Sequence, residues 1–87
     1  MFSKIIENYI KNLSIKDIND FSNKENIVLN NDELDFIYNI IKNEYKTLLY
    51  GDSTFILSKL KSRINPTSYQ KIILLFNQYK EKYKKYL

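Results

Sequence analysis

Histidine and cysteine are both absent from the 87 residues. With them go the usual general base, the thiolate nucleophile and the imidazole and thiolate ligands of transition metals. Serines and threonines remain, but no base accompanies them in a recognisable nucleophile motif. Asp32, Glu33 and Asp35 are the densest acidic group. Their spacing does not follow a calcium loop, and acids at the start of a helix are explained by the positive end of the helix dipole. Asp17 and Asp20, three residues apart, share one helix face and read as solvated charge. The expectation is a protein that is not an enzyme, with no cofactor, no metal and no evident small-molecule substrate.

The charge distribution is the one chemical feature with direction. Residues 1–26 are neutral overall, residues 27–50 carry −2, and residues 51–87 carry +6. Lys80, Lys82, Lys84 and Lys85 lie among Tyr83 and Tyr86, forming a basic end with aromatic rings between the lysines. Lysines at a helix C-terminus complement the macrodipole and keep the helix end in water. The same arrangement suits phosphate contact with bases stacked on the rings, which would make single-stranded or structured RNA the second candidate partner. Eight tyrosines exceed what the apolar stripes need, and exposed rings in polar surroundings are what partner-binding hot spots use. A protein partner is therefore the first expectation, with RNA as the alternative. The candidate surface comprises Lys80, Lys82, Tyr83, Lys84, Lys85 and Tyr86.

The elements that must position these residues are helices. Phe2, Ile5, Ile6, Tyr9, Ile10 and Leu13 form one helical stripe over residues 2–12. Ser14 is placed to cap a second helix, with Asp17 at its third position and Leu13 and Ile18 as a hydrophobic staple. Ile15, Ile18 and Phe21 mark its inner face, and the pattern fades over Asn23–Asn26. Ile27-Val28-Leu29 has no partner strand and reads as an extended link whose side chains enter the core. Asn30 and Glu33 then form a capping box for a third helix. Its stripe is Leu34, Ile37, Tyr38, Ile41, Tyr45 and Leu48, with Ile41 expected to be buried.

Gly51 suits a helix-ending position with positive φ. Asp52 or Ser53 can cap a short fourth helix, with Leu57, Leu60 and Ile64 inward. Pro66 fits the first turn of a fifth helix capped by Asn65. Its stripe is Tyr69, Ile72, Ile73, Phe76, Tyr79 and Tyr83, and residues 80–87 are expected to extend past the core.

Three segments carry a family resemblance: Leu13-Ser14-Ile15-Lys16-Asp17, Ile27-Val28-Leu29-Asn30, and Ile64-Asn65-Pro66-Thr67-Ser68 leading to Leu75-Phe76-Asn77-Gln78-Tyr79. With these in order, the chain resembles the YqfT-like family of short proteins from low-GC Gram-positive bacteria. Asn43-Glu44-Tyr45 stands where the family tends to end the third helix with a basic residue and glycine. The resemblance implies a bacterial, cytosolic, helical protein. It implies no activity and no site residue.

These readings combine into a single all-α domain over 1–87, a compact five-helix fold containing a helix–extended link–helix unit. Lys4, Glu7 and Lys11 interrupt the apolar N-terminus, so no secretory segment is expected. No apolar run approaches the ~20 residues of a membrane span. The expected location is cytoplasmic, and the expected role is that of a small binding or adaptor protein.

Overall fold

The computed structural model describes the backbone of residues 2–83 and the side chains of residues 4–82. Five helices follow one another: α1 (Phe2–Asn12), α2 (Ile15–Lys24), α3 (Asn31–Tyr50), α4 (Thr54–Arg63) and α5 (Pro66–Tyr83). No strand occurs among the described residues. The long α3 is central: α1, α2 and α4 pack on it, and α5 packs on α4. The radius of gyration, 12.6 Å, is close to the ~12 Å of a compact domain of this length.

Local hydrogen bonding explains where the helices begin. The Ser14 side chain accepts from the Asp17 N–H at 3.1 Å, and the Asp17 carboxylate accepts from the Ser14 N–H at 3.0 Å. Asn30 and Glu33 make the same reciprocal pair at 2.8 and 2.9 Å. Each box satisfies two backbone donors at a helix start. At the end of α2, Asn26 adopts φ 58°. The Ile27 N–H donates to the Ser22 carbonyl at 2.8 Å and the Asn26 N–H to the Asn23 carbonyl at 3.2 Å. This is a Schellman ending with asparagine in the left-handed position. Lys42 of α3 closes α1 by donating to the Ile10 and Lys11 carbonyls at 2.7 and 2.9 Å.

Gly51 departs from expectation. Its φ of −111° and ψ of −163° are ordinary extended backbone. The constraint there is space, since a Cβ would sit 3.3 Å from the Cα and carbonyl oxygen of Thr47. Asp52 serves the α4 start by accepting from the Thr54 N–H at 3.0 Å, while Ser53 occupies the cap position without a side-chain bond.

The buried core includes a cluster of Ile40, Ile56, Leu60 and Ile64, with Leu29, Phe36, Leu48 and Tyr69 among the side chains packed against it, and Ile18, Ile27 and Leu34 are buried as well. Four expectations about facing are corrected. In α3, Ile40 is buried, as are Glu33 and Leu34 in the first turn, and Ile41 is half-buried. The fully covered side of α3 is the one against α4, and Ile41 faces a cleft instead. In α4, Ile56 is 3% exposed and joins Leu60 and Ile64, while Leu57 sits at the edge.

In α1, Ile5 and Tyr9 are 64% and 69% exposed, so the stripe is narrower than expected. A helix packed chiefly on one neighbour buries a seam spaced i, i+4, i+7, here Ile6, Ile10 and Leu13, each half-buried. In the link, Ile27 is buried and Leu29 half-buried, but Val28 points outward, as the twofold alternation of extended chain requires.

Candidate functional site

Sequence reading placed the site at the basic end of α5, and of its six residues Lys80 and Lys82 have described side chains. Lys84, Lys85 and Tyr86 lie outside the described residues, as does the Tyr83 side chain. Lys82 is exposed. Lys80, expected on a protruding end, is half-buried, with Nζ 5.4 Å from the centre of the Phe76 ring one turn earlier. Its charge faces the ring, the geometry of a cation–π contact. Other basic groups of the C-terminal third are engaged separately. Lys59 lies over Phe55 at 4.7 Å, Arg63 over Phe36 at 4.5 Å, and Lys71 donates to the Asn26 carbonyl at 2.7 Å.

A polar clasp joins the link to the start of α5. The Asn65 side-chain oxygen accepts from the Ser68 N–H at 2.9 Å, which makes Asn65 the cap expected of it. Its Nδ2 donates to the Val28 carbonyl at 3.1 Å and to Glu33 Oε2 at 3.2 Å. The Ser68 hydroxyl, which is buried, also donates to the Val28 carbonyl. An unpaired extended segment needs partners for its backbone groups, and here α5 side chains supply them. Glu33 is buried and accepts from two helix starts at once, from the Asn30 N–H at 2.9 Å and the Asn65 N–H at 2.7 Å. Burial pushes its carboxyl up, but the Asn30 and Asn65 backbone donors and the Asn65 side chain outweigh this and hold it below its ordinary value.

Every partner of the clasp is thus internal, and its role is to hold the fold. Asn65→Ala should cost about 2 kcal/mol, a cap plus a buried-acceptor bond, read as a shift in the urea midpoint. A loss below half of that would mean that the Val28 and Glu33 contacts contribute nothing.

A cleft of about 290 Å³ lies between α2 and α5, floored by α3 and α4. Its lining is almost wholly apolar. Ile41 and Leu48 come from α3, Leu57 from α4, and Ile72 and Leu75 from α5. Of the two hydroxyl-bearing side chains in the lining, Ser22 and Tyr79, Ser22 donates to the Asn19 carbonyl at 2.9 Å. Phe21 and Tyr79 reach across from the two sides, with ring centres 6.5 Å apart and planes at 53°. Both rings remain partly exposed, at 43% and 44%, and form a roof with solvent on its outer side.

A second, shallower groove runs between α1 and α2, lined by Asn8, Tyr9, Asn12, Leu13 and Phe21 with Asp17 and Asp20. Asp20 pairs with Lys16 at 3.0 Å on the exposed face, a geometry that contributes little to stability. Among the described residues no cluster of acids is arranged to hold a metal ion. No helix among them is long and apolar enough to cross a membrane. The chain matches no family model, no curated protein and no solved structure.

Proposed function

We propose that this chain is a small non-catalytic binding protein that acts through protein–protein contacts on the outer face of α1 and α2, where a partner docks. The observation that carries this reading is the exposure of Ile5 and Tyr9, 64% and 69%, beside the groove that Tyr9 shares with Leu13 and Phe21. Aromatic and aliphatic side chains held in a polar surround are the usual anchors of an interface. Asp17 and Asp20 on the rim favour a partner segment with an apolar anchor flanked by basic groups. The tyrosine that matters on this reading is Tyr9, which the stripe of α1 had assigned to the core. Absence of histidine and cysteine supports a non-catalytic role, and the resemblance to YqfT-like proteins belongs to the proposal without adding an activity.

The test is retention of protein from nuclease-treated native lysate by the wild-type chain and by Tyr9→Ala. Tyr9 is exposed, so the substitution should change stability by no more than about 0.5 kcal/mol. A hot spot worth about 2 kcal/mol would weaken capture roughly thirtyfold. Capture that disappears with nuclease, or that Tyr9→Ala leaves unchanged, would refute the assignment of this face.

A further inference from the structure

We propose that the α2–α5 cleft binds a single-chain fatty acid, its hydrocarbon tail beneath the Phe21–Tyr79 roof and its carboxylate at Lys80. This is a separate site from the α1–α2 face, although Phe21 borders both.

Three observations select the occupant. The lining offers almost no polar surface, so whatever fills the cleft must be hydrocarbon there, since a polar group would be buried without a partner. The roof rings stand 6.5 Å apart between centres. A helix ~10–12 Å across cannot pass beneath that contact, whereas one extended alkyl chain can. The volume, about 290 Å³, is roughly twice the ~150 Å³ of an apolar cavity that holds one benzene. That is room for one chain and not for the two tails of a membrane lipid.

Charge then places the head group. Phe76 lines the cleft, and Lys80 Nζ lies over its ring at 5.4 Å. Among the described residues Lys80 has no carboxylate within ion-pair distance. Asp52, whose carboxyl feels the Lys80 charge, is occupied by the Thr54 N–H at 3.0 Å. An anionic head at this edge of the cleft would meet the ammonium of half-buried Lys80, which among the described residues has the Phe76 ring beneath it and the Asp52 charge near enough to be felt.

The experiment titrates the whole chain with octanoate, decanoate, dodecanoate and hexadecanoate, and with decanol as the uncharged control, by calorimetry and by thermal unfolding. Affinity should rise about fourfold per added methylene and level off once the cleft is full, and each bound acid should raise the melting temperature. Lys80→Gln should weaken decanoate about tenfold and leave decanol unchanged. Ile41→Phe, which places a ring in the cleft, should abolish binding of both. Tyr9→Ala should leave fatty-acid affinity unaltered, so failure of the partner-docking reading and failure of this one are distinguishable.

No binding by any member of the series would overturn the proposal. So would affinity that climbs without a plateau, the mark of adsorption to the surface, or decanoate binding retained in Ile41→Phe. An unchanged preference for decanoate over decanol in Lys80→Gln would overturn the placement of the head group. If Ile41→Phe does not fold, the plateau in the wild-type series decides alone.

Discussion

Glu33→Ala should lower stability by about 3–4 kcal/mol, since a hydrogen bond to a charged group contributes ~1.5–3 kcal/mol and at least two are lost. The wild-type carboxylate accepts the Asn30 N–H at 2.9 Å and the Asn65 N–H at 2.7 Å, with the Asn65 side chain close by at 3.2 Å. Truncation leaves donors unpaired at the starts of two helices, at a part-buried place. Glu33→Gln keeps an acceptor but not the charge, and about half of the loss should return. The pH dependence follows from the direction of the shift. The folded carboxyl lies below its ordinary value of 4.5, so the unfolded chain takes up its proton first as the pH falls. The stabilisation is complete above 4.5 and is lost as the pH drops through the folded value. Urea unfolding of the wild type should therefore weaken in acid, and Glu33→Gln should show a shallower decline. Asp17 and Asp52 are held low in the same way by Ser14 and Thr54, so some acid sensitivity should persist. Equal acid sensitivity in wild type and Glu33→Gln would mean that the clasp is not formed as a charged unit.

What could be read from the sequence was what depends on neighbours three or four residues apart. Ser14 with Asp17 and Asn30 with Glu33 are i, i+3 pairs, and Asn65 caps Ser68 at the same spacing. Caps at those positions follow from side-chain type alone. The second role of Glu33 joins residues 32 apart, and no local rule reports it. Facing was legible only to within one position. The α3 stripe could not distinguish Ile40 from Ile41, because α3 is covered from more than one side and its apolar arc is wide. Tyr9 was misplaced for the opposite reason, since α1 buries only a narrow seam. Gly51 could be located but not explained: its type suggested backbone freedom, and the structure shows close approach to Thr47.

The cleft was not legible at all. Its walls come from four helices and the link; most wall residues looked like ordinary core positions in their own stripes, and Ser22, Ile40 and Leu75 belonged to none. The basic end of α5 drew attention because lysines are conspicuous in a sequence, whereas the ring beneath Lys80, that of Phe76, is a contact its sequence position alone did not single out.

Ile56→Ala should cost about 3–5 kcal/mol, the upper part of the range for truncating a buried aliphatic side chain. Ile56 is 3% exposed and sits where α4 meets Ile40 of α3. The surrounding side chains, Leu60 and Ile64, are themselves buried and have little freedom to collapse into the space left behind. With ~4–13 kcal/mol available to a chain of this length, such a loss should leave a measurable unfolded fraction without denaturant. Ile41→Ala provides the contrast. Ile41 is half-buried and borders the cleft, so its methyl groups touch fewer atoms, and its removal widens a space that already exists. Its cost should stay below about 2 kcal/mol, less than the usual range for a fully buried isoleucine. The pair is measured by urea unfolding of both variants alongside the wild type, with a common slope confirming that the same surface is exposed. Should Ile41→Ala prove the more damaging of the two, α3 must be turned by about one residue, roughly 100° about its axis. Ile41 would then sit in the core and the cleft would close, which would remove the fatty-acid site together with the facing of α3.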